Sequence, residues 1–430
     1  MNIVPIPRLV GADRLAADPQ VRGLLTRLAG CPDDSQEYAD ALLARIAWSR
    51  IAEPGDGVAG ELLAALGPER SLQLLIAGVT PVQLRDAASR AGVDLATCAA
   101  ESALGRWLPR VDRAETMRDI ERGMEADLCV IVPGDAAWPI LLDDLGPHAP
   151  FLLWVRGDPV HFASPSLSVV GARAATGYGT HVTAEIVAGV CAAGFSIVSG
   201  AAYGIDAVAH RTALAAEAPT VAVLAGGADR AYPQSHDGLL GKISVTGAVC
   251  AEMVPGAAPT RWRFLQRNRI IAALSSATLV TEAGVRSGTL NTAGHAAELG
   301  RALGAVPGPV TSVASSGCHK LIREYGAALI TNAREACELA GLGDELEIFR
   351  DGSQVSGETG GTARQPSAHG RVIDALPLRG SRTLIEVARL AGLSVGEART
   401  TLAELELLQE VARRDDPGAA EQKWALVRRQ

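Results

Sequence analysis

From Leu167 onward the chain alternates short apolar runs with helical stretches of about 10 to 15 residues, the spacing of a βαβ architecture. The runs at 167–171, 195–199, 220–224, 248–252, 277–281 and 303–307 predict strands built from Val, Ile, Leu and Ala. Strands separated by helices pair in parallel and need cover on both faces. The expected fold class is therefore α/β, a doubly wound, mostly parallel sheet. Ligands of such sheets bind beyond the carboxyl ends of the strands, where this sequence concentrates its glycines and arginines.

The flanks read differently. Residues 1–105 form a helical domain: Tyr38 to Ile51 carries apolar residues at helical spacing, and Gly60 to Gly67 and Thr80-Pro81 punctuate shorter helices. Helix–hairpin–helix modules share this pattern, but no basic cluster sits on the turns, so a packing or oligomerisation role is expected. Residues 106–166 read as a connecting segment packed on the central domain, with one strand at Leu128 to Val132 and a linking stretch at Phe151 to Gly157. The sheet domain spans 167–340. A polar stretch rich in Gly, Ser, Thr and Glu, residues 341–370, reads as a flexible linker. In 371–430, Thr383 to Ala391 is an amphipathic helix and Ser394 with Glu397 a capping box. Strands at Leu408 to Arg413 and Lys423 to Val427 flank Asp415 to Ala420, which makes this last unit a winged-helix domain. Its third helix sets Glu397, Glu404 and Glu406 against Arg399, poor chemistry for a major groove, so protein contact or autoregulation is expected.

At 430 residues with 48% hydrophobic and 4% aromatic content, the chain can bury a large core of small aliphatic side chains. The formal charge of −8 argues against nucleic acid, but its distribution does not. Ser168 to Glu335 holds 13 basic and 10 acidic residues, while the remainder holds 27 and 38. The sheet domain is thus basic relative to its flanks. Seven scattered cysteines without a CxxC pair predict free thiols in a reducing cytoplasm and no metal site; Cys318-His319 is too few ligands. No apolar run reaches the roughly 20 residues of a membrane span.

Ser168-Val-Val-Gly-Ala-Arg173 runs into a Gly-rich turn ending at Gly177 and Gly179, then a helix. That arrangement offers backbone N–H groups and a positive helix terminus to an anion, with Arg173 alongside. The glycine spacing is not GxGxxG, and Ser199-Gly200 ends the next strand where a ribose-binding carboxylate would stand, which disfavours a dinucleotide. Gly238 to Lys242 lacks P-loop spacing. Ser199-Gly200 with Asp206 and His210 brings hydrolase-type residues together, but without a GxSxG elbow, and Asp206 and His210 lie one helical turn apart; a structural role is expected. Ser287-Gly288-Thr289 makes a third such turn, so a shared anionic ligand is expected at one sheet edge. Arg261 to Arg269 adds four arginines, Trp262 and Phe264. Arg267 and Arg269, two apart, face different sides of a helix, one for structure and one for the ligand. A phosphate cradle beside an Arg-and-aromatic cluster suits a nucleic-acid backbone.

Together these residues resemble the DNA-processing protein A (DprA/Smf) family. The resemblance rests on Val170-Gly-Ala-Arg173, Ser199 to Asp206 with Ala209-His210, Gly226 to Asp229 with Tyr232-Pro233, Phe264 to Ile271, Ser287 to Leu290 with Thr292-Ala293, Pro307-Gly308, and Ser316-Gly317 with Leu321-Ile322 and Gly326-Ala327. Ala251-Glu252 and Cys318-His319 depart from the usual pattern. The resemblance implies a Rossmann-like central domain, single-stranded DNA binding, homodimerisation, hand-over of the strand to a RecA-type recombinase during uptake or repair, and neither catalysis nor a cofactor. The DNA-binding residues expected are Gly171, Ala172, Arg173, Thr176, Tyr178, Gly179, Ser199, Gly200, Phe264, Arg267, Asn268, Arg269, Ser287, Gly288, Thr289 and Lys320. A nucleotide-processing enzyme using Glu282 is the alternative; a duplex-binding regulator acting through the winged helix is a third.

Overall fold

The computed structural model describes residues 16, 18–29, 35–341, 368–377, 380–407, 411–414 and 423–427. It divides into two compact units, Met1–Asp351 and Gly352–Gln430. Most of the expected 341–370 linker, the expected loop from Asp415 to Ala420, Leu408 to Glu410 and Cys31 lie outside the described residues.

Among the described residues the first unit begins with seven α-helices: α1 (Pro19–Leu28), α2 (Gln36–Ile51), α3 (Gly57–Leu66), α4 (Pro68–Ile76), α5 (Pro81–Arg90), α6 (Thr97–Trp107) and α7 (Arg113–Glu125). Side chains cap several of them: Ser35, Asp56, Thr80 and Asp112 each accept a backbone N–H of the first turn. The helices α2 to α6 close on Trp48 and Trp107, stacked edge to face at 5.2 Å. Each indole N–H finds a partner, Trp48 at Ser71 Oγ and Trp107 at Asp56 Oδ2, both at 3.0 Å.

The sheet strands follow: β1 (Cys129–Ile131), β2 (Leu153–Gly157), β3 (Ser166–Gly171), β4 (Ser196–Ser199), β5 (Thr220–Leu224), β6 (Ala248–Ala251), β7 (Ala277–Glu282), β8 (Ala302–Ala305) and β9 (Ala328–Leu329). Their order is β1-β2-β6-β5-β4-β3-β7-β8-β9, parallel from β6 to β9. The stretch expected to link differs from its reading: Leu153–Gly157 pairs antiparallel with both β1 and β6, so the connecting segment extends the sheet by two strands. The helices between are α8 (Gly177–Ala192), α9 (Ile205–Ala215), α10 (Asp237–Thr246), α11 (Arg261–Ala273), α12 (Thr289–Glu298), α13 (Ser316–Glu324) and α14 (Ala333–Leu339). One face packs against α11, α12 and α13, the other against α8, α9 and α14, with α10, α2 and α7 continuing that cover over β6 and β2. The central strands β3 to β7 are buried along their whole length, which is why they read as unbroken apolar runs. The fold is a Rossmann-like α/β sheet with a helical N-terminal region.

The second unit contains α15 (Ala368–Ala375), α16 (Leu384–Ala391) and α17 (Val395–Leu407) with β10 (Arg382–Thr383), β11 (Val411–Arg414) and β12 (Lys423–Leu426), ordered β10-β12-β11 and antiparallel. Thr383 with Glu386, and Ser394 with Glu397, form the capping hydrogen bonds that start α16 and α17. Val372, Val387, Leu402, Leu405 and Trp424 make its core.

The helical region meets the sheet domain closely where α3 crosses the 140–148 segment. A Cβ at Gly60 would overlap the Pro147 carbonyl oxygen and carbon, both backbone atoms that cannot swing away. Gly60→Ala should therefore destabilise the first unit by about 1–3 kcal/mol, despite the better helix propensity of Ala. Chemical denaturation of the two proteins checks this; an equal or higher midpoint for the variant would refute the tight crossing.

Candidate functional site

The chain order reverses direction at β3. The strands β4, β5 and β6 lie on one side of it, and α11 carries the chain back across the sheet to β7 on the other. The loops leaving β3 and β7 diverge at such a point and open a crevice. Here it is a cleft of about 1170 Å3, lined by Gly171 to Arg173 after β3, Gly284 to Thr289 after β7, and Arg261, Phe264, Leu265, Arg267 and Asn268 of α11.

Each wall is braced from behind. Glu282, the last residue of β7 and 2% exposed, accepts the Thr176 N–H at 2.9 Å on one oxygen and the Thr176 hydroxyl at 2.6 Å on the other. Thr176 Oγ1 in turn accepts the Gly179 N–H at 3.1 Å and starts α8. After β4, Ser199 Oγ donates to Val169 O at 2.6 Å, and a Cβ at Gly200 would overlap the Arg267 guanidinium. Across the cleft, Ser287 Oγ accepts the Thr289 N–H at 3.2 Å, and Thr289 Oγ1 donates to Gly171 O at 2.9 Å. These bonds narrow the expected cradle. The N–H groups of Thr176, Gly179, Ser287, Thr289 and Leu290 are already bonded within the protein, so only part of each turn's backbone is open to a ligand.

Guanidinium groups surround one ring. The Phe264 centroid lies 5.1 Å from Arg173 Cζ and 5.8 Å from Arg267 Cζ, within cation–π range, and 5.4 Å from the Tyr232 ring. Arg173, Arg261 and Arg286 are exposed at the rim, and no carboxylate ion-pairs with any of them among the described residues. The only carboxylate among the lining residues is Asp206, 5% exposed, whose Oδ2 accepts the Ala202 N–H at 3.3 Å.

Arg267 is buried beneath the ring. Its Nη1 donates to Gly200 O at 2.7 Å and also to Val223 O, and its Nε to Asn268 Oδ1 at 3.2 Å. Burial lowers its pKa to about 10, with the neighbouring Arg173 charge adding and Asp206 opposing; it remains charged at neutral pH. Burial likewise raises Asp206, against Arg267 and backbone N–H bonds. His210, fully buried with Nδ1 2.7 Å from Thr220 Oγ1, is driven down to about 3 by burial and then by Arg267 and His236.

A family model described as DNA recombination-mediator protein A matches residues 129–341, the sheet domain from β1 to the end of α14. A DprA-named protein of Mycobacterium tuberculosis is 39% identical over 396 residues, 88% of this chain and 93% of its own length. The chain belongs to the DprA family. DprA of Streptococcus pneumoniae is 38% identical over 202 residues, 45% of this chain and 71% of that protein. The X-ray structure of that Streptococcus pneumoniae protein superposes with a TM-score of 0.56 at 27% identity, covering 70% of this chain and 97% of the other.

Of the residues expected from the DprA motifs, Gly171, Ala172, Arg173, Phe264, Arg267, Asn268, Ser287, Gly288 and Thr289 line the cleft together. Thr176, Gly179, Ser199 and Gly200 are not among its lining residues. Tyr178 is tied by its hydroxyl to Pro307 O at 2.5 Å, and Lys320 lies on α13, 3.8 Å from Glu324; neither lines the cleft. Arg267 and Arg269 do face different sides of α11, as their spacing predicts: both are buried, but only Arg267 lines the cleft. Arg269, 3% exposed, donates through Nη2 to both Glu252 oxygens at 2.8 and 2.9 Å and does not reach the cleft. Arg286 and Tyr232 were missing from the expected set, although Tyr232 is itself a motif residue and Arg286 adjoins Ser287. Cys318 and His319 point to backbone carbonyls, Val280 O and Gly308 O, and no cluster of metal-binding side chains occurs among the described residues.

Removing Glu252 would leave a buried guanidinium unpaired, so Glu252→Ala should cost about 3–5 kcal/mol in chemical denaturation, more than a rim substitution. A second expectation concerns acid. In the unfolded chain His210 takes a proton near pH 6.5, in the folded chain only near pH 3, so between these values the unfolded state binds more protons. Stability should fall on acidification through that window by up to about 1.4 kcal/mol per pH unit from this ring, and His210→Gln should make the slope shallower by that amount. Urea midpoints at several pH values test it; parallel slopes for both proteins would refute it.

Proposed function

We propose that this chain binds single-stranded DNA in the cleft and acts as a recombination mediator. One observation carries the reading: a half-buried phenylalanine flanked by guanidinium groups, in an arginine-rimmed cleft whose one carboxylate is buried. Every base has a face that stacks on such a ring, worth roughly 1–3 kcal/mol per base, while exposed arginines meet phosphates irrespective of sequence. The cleft also exceeds the roughly 300–1,000 Å3 usual for a small-molecule site. A nucleotide-cleaving enzyme would need Glu282 free, and both of its oxygens are taken by Thr176. Membership of the DprA family supports the finer parts of the proposal: no catalysis, protection of incoming or exposed strands in the cytoplasm, pairing with a second copy through the Rossmann-like domain, and loading of a RecA-type recombinase. On the same footing, the C-terminal unit is read as a winged helix that contacts protein. No helix among the described residues is long and apolar enough to cross a membrane.

Titration with dT oligomers of graded length, duplex DNA and mononucleotide tests the proposal. Single strands should bind more tightly than duplex of equal length, with a log–log salt slope near −0.7 per phosphate contacted. Equal affinity for a mononucleotide, or no salt dependence, would overturn it. Arg173 has the Phe264 ring as its neighbour and no ion pair among the described residues. Arg173→Ala should therefore weaken all sequences alike, reduce the slope by about 0.7 and change stability by less than about 0.5 kcal/mol. A destabilised variant that binds normally would contradict this.

A further inference from the structure

Aromatic residues form only 4% of this chain, yet two tyrosines beside the cleft leave half of their surface in solvent, Tyr203 at 50% and Tyr232 at 49%. They are connected. The Tyr232 ring lies 5.4 Å from Phe264 with its plane tilted by 54°. Three residues along the same loop, Ser235 Oγ lies 2.8 Å from the Tyr203 hydroxyl, and the Tyr203 ring meets His236 edge-on at 4.9 Å. Tyr232 thus meets Phe264 directly, and Tyr203 is joined to the same loop through Ser235 and His236.

The backbone leading into Tyr203 is tied down. Ala201 sits at φ +52°, a left-handed conformation that a residue with a Cβ keeps only when its surroundings impose it. Its carbonyl lies 3.0 Å from Nδ1 of the buried His236, and Ala202 donates its N–H to Asp206 at 3.3 Å. A ring held this firmly and left half open contributes little to a core, but it loses little freedom when a planar partner lands on it.

We propose that Tyr203 and Tyr232 form a second base-stacking station, which takes nucleobases of single-stranded nucleic acid beyond the one on Phe264. The inference rests on the strand-binding reading above and extends it. The station comes into play only for oligomers long enough to span both places, so its signature is length dependence. Tyr203→Ala should leave the affinity for dT oligomers shorter than about 4 nucleotides unchanged and weaken oligomers of about 12 by roughly 5- to 100-fold. Tyr203→Phe, which keeps the ring and drops the hydroxyl, should recover most of that loss. A long oligomer with abasic sites should bind wild type and Tyr203→Ala alike.

If Phe264→Ala and Arg173→Ala weaken long oligomers while Tyr203→Ala binds them as wild type does, the station is refuted and the strand-binding reading stands. If wild type fails to bind dT oligomers, or Phe264→Ala has no effect, both fall. Should Tyr203→Ala not fold, photocrosslinking decides on the wild-type protein. A dT oligomer carrying 5-iododeoxyuridine should label peptides containing Tyr203 or Tyr232 besides the Phe264 peptide, and labelling confined to the Phe264 peptide would overturn the proposal.

Discussion

A buried charge must be met by dipoles or an opposite charge, and the guanidinium of Arg267 organises the functional edge of the sheet by that requirement. Its hydrogen bonds reach the carbonyls of Gly200 and Val223, where β4 and β5 end, and Asp206 is the carboxyl group nearby that favours its charged form. Three consequences follow directly. No side chain fits at position 200, the register of α11 against two neighbouring strands is set, and Phe264, one turn earlier on the helix, is held over the guanidinium with Arg173 on its exposed side. The ring is therefore placed by a buried charge beneath it rather than by an apolar pocket.

Both ends of α11 are anchored by other parts of the chain. At its carboxyl end, Ser168 Oγ of β3 donates to Ile271 O at 2.6 Å and meets Ser275 Oγ at 2.9 Å. At its amino end, Arg263 makes a two-bonded pair with Glu53, at 3.0 and 2.9 Å, from the loop after α2, while Arg110 reaches the same carboxylate at 2.8 Å. These two arginines hold the Glu53 carboxyl below its usual range against the cost of burial. The helical region so becomes part of the mounting of Phe264, although none of its described residues lines the cleft.

The central strands were legible because full burial leaves a continuous apolar run; 220–224 matches β5 at both ends, and the others agree within about two residues. What failed is pairing that local pattern does not encode. Leu153 to Gly157 has the composition of a strand, but its partners lie at Cys129 and Ala248, on either side in sequence, and the two-residue β9 gives no signal at all. At the site, Arg173 and Phe264 could be picked out from the glycines and the aromatic cluster around them. The fate of Arg269 could not, since helical spacing separates it from Arg267 without saying which side faces Glu252. The turns are only partly legible for a related reason: their own Ser, Thr and Glu side chains occupy the N–H groups of Thr176, Gly179 and Thr289.

The reliance of the first turn on Glu282 bears on how the protein comes into being. Thr176 and Glu282 are separated by 106 residues, and β3 pairs with β7 only after β4, β5, β6 and α11 have been laid down. Contacts so distant in sequence form late, because the intervening chain must first be closed into a loop. A chain growing from the ribosome would hold Arg173 long before β7 emerges, and Phe264 only shortly before it. Until β7 takes its place beside β3, the nascent chain lacks one wall of its cleft, and the crevice arrives only with the completed fold.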